Sequence, residues 1–191
     1  MVAALSLGVL LALSGCDRGR PHLRGKSLQE WLDVVRDSNP DKRLEAATAL
    51  VELAAKHSEA EHALVDALSD GSVDVRLVAA RAFVELGPRA SGANEQLQRM
   101  VAKEQDASVR ATAAMALGST TRGENWGVMS LRAALRDSSS HVRAAAAEAL
   151  AIVGSPARGA LQDLVAVAQY DTEVTVRLAA RSAVNTLTGS R

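Results

Sequence analysis

Apolar positions along most of this chain recur with the period of a helix and not with the strict alternation of a half-buried strand. The pattern is clearest around five arginines, Arg43, Arg76, Arg110, Arg143 and Arg177, which stand 33, 34, 33 and 34 residues apart. Three residues after each comes an alanine: Ala46, Ala79, Ala113, Ala146 and Ala180. Six after it comes another: Ala49, Ala82, Ala116, Ala149 and Ala183. Seven after it stands a larger apolar residue: Leu50, Phe83, Leu117, Leu150 and Val184. Offsets of three and seven share one helical face, so every copy predicts a helix that buries an alanine-rich stripe. Val75, Val109, Val142 and Val176 precede their arginines, and Lys42 alone breaks that column. A fixed period of this size predicts a solenoid of stacked units.

The boundaries of the units follow from capping chemistry. Four residues before the arginines stand Asn39, Ser72, Asp106 and Ser139, side chains that accept hydrogen bonds from the first free helical amides. Glu173 is the exception, with Thr172 beside it as a substitute. Pro40 suits a first helical turn, and Gly87 and Gly154 would end their helices. A second helix is predicted in each unit, at residues 60–68, 94–103, 126–135 and 159–168. Ser27-Leu28-Gln29-Glu30 reads as a capping box that opens an earlier helix with Trp31, Leu32 and Val35 on its apolar face. At the other end, residues 174–187 form a first helix without a partner, and Arg181 replaces the alanine found four after the arginine in every other copy. The expected fold is all-α: an α-solenoid of about five helical-hairpin repeats over residues 27–191, with partial units outside as caps.

Segments such as Val75-Arg76-Leu77-Val78-Ala79-Ala80-Arg81-Ala82-Phe83-Val84-Glu85-Leu86-Gly87 resemble HEAT repeats, most closely the short bacterial type also present in enzymes that attach bilins to light-harvesting proteins. The resemblance covers about residues 27–187. It implies the fold and says little about function, because the matching columns are packing columns.

Composition agrees with this pattern. The chain is 48% hydrophobic but only 2% aromatic, so its core must be built from Ala, Val and Leu, whose small size lets helices approach closely. Lysine plus arginine and aspartate plus glutamate both number 22, which speaks against a nucleic-acid partner held by a clustered basic face. One cysteine rules out an internal disulfide.

That cysteine lies where it changes the picture. Residues 2–13 are apolar or small and uncharged, too short to span a bilayer but of the length of a signal-peptide core. They lead into Leu13-Ser14-Gly15-Cys16, which resembles the lipobox of bacterial lipoproteins. The basic residue that such signals carry at their start is missing from Met1-Val2-Ala3-Ala4-Leu5. The resemblance implies that residues 1–15 are a signal peptide and that Cys16 is lipidated. It places the protein in a bacterial cell envelope, held to a membrane on the periplasmic side. Asp17 next to the lipidated cysteine resembles an inner-membrane retention signal. Residues 16–26, rich in Gly, Pro and basic residues, then read as a flexible tether beside the head groups.

Six residues before each arginine stands an acid: Asp37, Asp70, Glu104, Asp137 and Asp171. The regular spacing reads as a structural ladder between adjacent units, since Arg–carboxylate pairs fix register and carboxylates satisfy turn amides. Nothing brings three acids to one point, and His22, His57, His62 and His141 lack metal-ligand spacing, so no metal is expected. No nucleophile–base pair, phosphate loop or acid dyad stands out, so neither catalytic residues nor cofactors are assigned. Lys56, Arg89, Arg122 and Arg158 fall in turns on the opposite edge and read as solvated. What remains is a membrane-tethered module for binding a protein partner. Its second helices are expected to line a concave face carrying Glu61, His62, Asp66, Glu95, Arg99, Met129, Arg132 and Gln162. Trp126, beside the long polar turn 119–125, is a candidate contact. The alternative is a bilin-lyase-like enzyme, or a non-catalytic subunit of an enzyme complex.

Overall fold

The computed structural model describes residues 22–121 and 123–189. Two short strands, β1 (His22–Leu23) and β2 (Lys26–Ser27), pair antiparallel ahead of α1 (Leu28–Val34). The first helices of the repeats are α2 (Pro40–Ala54), α4 (Val73–Leu86), α6 (Ala107–Thr120), α8 (Ser140–Val153) and α10 (Val174–Thr188). The second helices are α3 (Ser58–Ala67), α5 (Asn94–Lys103), α7 (Asn125–Ala134) and α9 (Leu161–Tyr170), with α1 as the second helix of a partial leading unit. Short 3-10 turns at Gly87–Arg89, Ser91–Ala93 and Ser155–Ala160 join first to second helices. The architecture is therefore an all-α solenoid of about five repeats.

Local chemistry sets the helix ends. Asn39, Ser72, Asp106, Ser139 and Glu173 are the N-cap residues of α2, α4, α6, α8 and α10. Only Asn39 and Asp106 cap through their side chains; Ser72 and Ser139 sit in turns whose amides bond to the acid two residues earlier. Gly87 and Gly154 end α4 and α8 at φ of 63° and 73°, a conformation that disfavours any residue with a Cβ. Ser27 and Glu30 form the capping box of α1.

The alanine columns are fully buried: Ala46, Ala79, Ala113, Ala146 and Ala180 show no exposed surface, nor do Ala49, Ala82, Ala116, Ala149 and Ala183. They let the first helices pack tightly on one another. Contact is tightest where Gly118 of α6 meets α8: a Cβ built there would lie 2.7 Å from that of Ala149.

The last residues of the stretch read as a tether, 22–26, belong to the β1–β2 hairpin. Arg24 and Gly25 both have positive φ, 51° and 80°, as a two-residue type I′ hairpin turn requires. The hairpin docks on Trp31, which is fully buried and donates its indole N–H to the Leu23 carbonyl at 3.0 Å. The Lys26 ammonium lies 4.2 Å from the Trp31 ring centroid. Ion pairs Arg24–Glu52 at 2.9 Å and Lys26–Glu45 at 3.6 Å tie the hairpin to α2. The lipobox and Cys16 lie outside the described residues.

One bridge repeats at every junction. Arg43 donates Nε and Nη2 to the Asp70 carboxylate at 2.7 and 2.8 Å. Arg76 does so to Glu104 at 2.8 and 3.0 Å, Arg110 to Asp137 at 3.0 and 3.0 Å, and Arg143 to Asp171 at 2.7 and 2.9 Å. The remaining Nη1 turns back onto the two carbonyls of its own preceding turn, for Arg110 those of Glu104 and Gln105, both at 2.8 Å. Each acid in turn accepts the backbone N–H two residues on: Ser72 on Asp70, Asp106 on Glu104, Ser139 on Asp137 and Glu173 on Asp171. A single guanidinium thus closes one turn and locks the next.

The bridge shows in the ionisation of its members. The Arg43 guanidinium holds the Asp70 carboxyl below the ordinary carboxylate range, and Arg143 does the same for Asp171. For Glu104 and Asp137 burial is the largest single influence and pushes upward, but the arginine and the turn amides together outweigh it, so both are lowered. The bonded carboxylates raise Arg43, Arg110 and Arg143. At the leading end no arginine of a preceding unit reaches the Asp37 carboxylate among the described residues. Lys42, the residue that breaks the valine column, pairs with it at 2.9 Å. At the trailing end Arg177 bonds the Asp171 and Thr172 carbonyls at 2.6 and 2.9 Å, and no carboxylate follows it among the described residues.

The close approach at Gly118 and the lowered carboxylates are each open to measurement. Gly118→Val should lower stability by about 1–3 kcal/mol through overpacking, a fall in melting temperature of roughly 5 °C. Gly71→Ala, whose added carbon meets nothing within 4 Å, should leave melting unchanged in the same scan. Because Asp70, Glu104, Asp137 and Asp171 are lowered in the folded state, their contribution is complete above the unfolded carboxylate pKa of about 4 and is lost as pH falls through the folded values. The urea midpoint should stay level from pH 7 to about 5 and drop below about 4. Asp137→Asn should cost about 2 kcal/mol at neutral pH and make the acid fall shallower.

Candidate binding surface

The two rows of helices are packed unequally. Neighbouring first helices touch along their lengths, whereas neighbouring second helices touch sparsely. The first helices bury their alanine columns together with Leu50, Phe83, Leu117 and Leu150, and the second helices bring Leu64, Leu97, Leu131 and Leu164 to the core, all fully buried. The closer-packed first helices form one row, the inner row, and the second helices a looser outer row, and the residues expected on a concave face fall on the outer one. The inner surface is built from the exposed or half-exposed backs of α2 to α8, with Thr48, Arg81, Met115 and Glu148 five residues after the arginines and Glu52, Glu85, Ser119 and Ile152 nine after them. The mean helical period points to these positions, but only the stacking of the first helices on one another makes them a face.

The candidates named from the sequence are scattered over the outer row and its edges. His62, Met129 and Gln162 are exposed on α3, α7 and α9, Met129 at 58%. Asp66 lines a small cleft with Arg36 and Asp70. Arg99 bonds Glu95 and Gln96 on its own helix and borders a cleft of about 330 Å³ with Asp70, Arg76 and Glu104. Arg132 pairs with Asp163 at 2.7 Å, and Arg136 reaches the same carboxylate at 3.2 Å. Glu61 lines a cleft of about 200 Å³ with Lys56, His57 and Arg89. Arg158, on the same edge, donates to the Leu187 carbonyl at 3.2 Å, and Arg122 lies outside the described residues.

Two of the candidates meet. Glu95 and Trp126 share an open cleft of about 430 Å³ between the start of α5 and the start of α7, together with Ser91, Gly92, Asn94, Gln98 and Glu124. Trp126 is half-buried, with part of its ring against the core. Asn94 is 7% exposed, and its Oδ1 has no hydrogen-bond partner. The sequence hid Asn94 because it reads as an ordinary first-turn residue; its unsatisfied state depends on α7 and the 3-10 turn around it.

Among the described residues no group of three or more His, Cys, Asp or Glu is arranged to hold a metal, and no helix is long and apolar enough to cross a membrane.

Comparison with known proteins agrees with this architecture. The family of HEAT repeats matches residues 28–118 and 94–185. No curated protein matches the chain at a significant level. Among solved structures, the complex of CpcE and CpcF of phycocyanin lyase from Nostoc sp. PCC7120 is similar at a TM-score of 0.61 and 23% identity, covering 82% of this chain and 96% of that one. An engineered protein is similar at 0.60 and 23% over 85% and 80% of the two chains. A computationally designed armadillo repeat protein for modular peptide recognition is similar at 0.56 and 20% over 83% and 81%. At these identities the likeness is one of fold. With the family matched over nearly all of the repeat region, and the repeating Arg–carboxylate bridge accounting for its regularity, this chain belongs to the HEAT-repeat family.

Proposed function

We propose that this protein is a non-catalytic binding scaffold for a protein partner, held to a membrane of the bacterial cell envelope by a lipid on Cys16. One observation carries the scaffold reading. The buried columns repeat from unit to unit, while the inner-row positions vary: Thr48, Arg81, Met115 and Glu148 in one column, and Glu52, Glu85, Ser119 and Ile152 in the next, where only the first two agree. A rigid frame with a variable face is how repeat proteins present extended binding surfaces. Ile152, at 51% exposure, and Met115 supply apolar anchors among charges. The membrane reading rests on the lipobox Leu13-Ser14-Gly15-Cys16 and on Asp17, which favours the inner membrane.

The second reading, a non-catalytic subunit of an enzyme complex or a bilin-lyase-like protein, draws on fold likeness to the phycocyanin lyase complex alone. A bound pigment, visible as absorption beyond the protein band in purified material, would favour it.

The test is crosslinking in cells followed by mass spectrometry of the membrane fraction. Wild type should recover a defined partner. Cys16→Ala should move the protein out of the membrane fraction. Arg81→Glu combined with Ile152→Glu should reduce partner recovery about tenfold or more, the effect of losing two central contacts, with helical content unchanged. Recovery that survives the inner-row changes would refute the assigned surface, and a wild-type protein in the soluble fraction would refute the anchor.

A further inference from the structure

Each junction inside the stack covers the same stripe of the preceding first helix, and on α10 that stripe is bare. Four residues after the ladder arginine, Ala47, Ala80, Ala114 and Ala147 are fully buried, while Arg181 is exposed. One residue after it, Leu44, Leu77, Ala111 and Ala144 are half-buried, while Leu178 is 57% exposed. Val174, Leu178, Arg181 and Asn185 follow one another at intervals of three and four with Arg177 beside them, so the five share one face of α10.

Arg177 is already set for a ligand of one chemistry. Its Nη1 holds the Asp171 and Thr172 carbonyls, as Nη1 of Arg43, Arg76, Arg110 and Arg143 each holds two carbonyls of the preceding turn. In those four the remaining edge, Nε and Nη2, grips a carboxylate. In Arg177 the same edge meets no acceptor among the described residues. The Asp171 carboxylate, near it in sequence, belongs to Arg143. A fork held in place beforehand loses little further freedom when it binds. Arg181, one turn on, adds a second cation, and the stripe carries no acid.

We propose that this trailing face of α10 docks an acidic segment of a protein partner, which gives Arg177 the carboxylate that a following unit gives the other four arginines. The inference rests on the scaffold reading only for the partner's being a protein; the surface is separate from the inner row. The carboxylate bonds Nε and Nη2 as a bidentate pair, Arg181 adds charge, and Leu178 supplies the apolar contact beside them. A second copy of this chain fits less well. Two such faces related by a two-fold axis set Arg177 and Arg181 against their own kind. Stacked head to tail, the second copy offers Asp37, which Lys42 already bonds at 2.9 Å, and its hairpin covers Trp31 of the neighbouring helix. Arg181 also stands where alanine admits the next first helix in the other copies, so a helix is kept from the close approach that α8 makes to Gly118.

The experiment is a nitrogen-resolved NMR titration of the full chain with acetyl-Leu-Ser-Asp-Gly-Ser-amide, the turn sequence in which Asp70 meets Arg43, and with its Asn counterpart as the neutral control. The signal read is the Arg177 Nε–H. Those of Arg43, Arg76, Arg110 and Arg143, already bonded to carboxylates, are the internal references. The Asp peptide should move Arg177 saturably toward the references, at the millimolar dissociation constants expected of so small a ligand, and leave the four still. The Asn peptide should bind about tenfold more weakly, the difference of one charge-assisted contact. Read at the Leu178 amide, Arg177→Lys, which keeps the charge and loses the fork, should weaken binding about tenfold. Arg181→Ala, a change at an exposed position, should weaken it about threefold. An Arg177 Nε–H that already stands at the reference position in the free chain, movement of all five arginines together, equal response to both peptides, or indifference to both variants would each overturn the site. Peptide binding without any crosslinked partner would uphold the site and count against the scaffold, and a crosslinked partner without peptide binding would do the reverse.

Discussion

The structure depends on one guanidinium that makes two kinds of contact at once. In Arg76, Arg110 and their counterparts, Nε and Nη2 grip the carboxylate of the following unit while Nη1 holds the two carbonyls that end the preceding one. The planar fork is what makes this possible; an ammonium could not serve both directions with fixed geometry. The carboxylate is in turn held by a backbone amide of its own turn, so the bridge orients the start of each first helix as well as the junction. These pairs are mostly covered by protein, with Arg143 and Asp171 side chains at 14% and 8% exposure, so they define register where an exposed ion pair would add little.

Around this bridge the alanine columns decide how closely the units approach one another. Because Ala113, Ala116, Ala146 and Ala149 are small and buried, and Gly118 has no side chain, α6 and α8 come nearly into backbone contact. Neighbouring second helices touch one another more sparsely. The ends are treated differently. The leading end is closed: Lys42 answers Asp37, Lys26 answers Glu45, Arg24 answers Glu52, and the hairpin covers Trp31. The last first helix, α10, is polar over its later turns, where Arg181 and Asn185 replace residues that are small or apolar in the other copies, while Val174 and Leu178 stay exposed in its first turns.

The division of labour between buried and exposed positions also explains why the family is plain while the partner is not. Packing columns must repeat because every junction presents the same hole and the same carboxylate. Exposed columns are under no such constraint, and Arg81, Met115 and Glu148 in one row differ as a binding face would need them to.

The sequence by itself determined the elements and their order. The 33- to 34-residue period, the buried alanines at fixed offsets from each arginine, the caps at Asn39 and Asp106 and the stops at Gly87 and Gly154 are local or periodic signals, and local hydrogen bonding and burial act on them directly. Even the acids of the ladder stood at a regular offset, although nothing in the spacing says that Arg110 reaches forward to Asp137 and sends only its third nitrogen back to the Glu104 turn. Three matters only the tertiary structure decided. Which row of helices packs more closely depends on contacts between neighbouring units, which no single repeat contains. That residues 22–27 fold back on Trp31 depends on a slot left open at the leading end, where composition alone reads as a linker. And Asn94 becomes an unsatisfied acceptor beside Trp126 because two units stacked in register bury it without supplying a donor, a property of packing that its place in the chain does not carry.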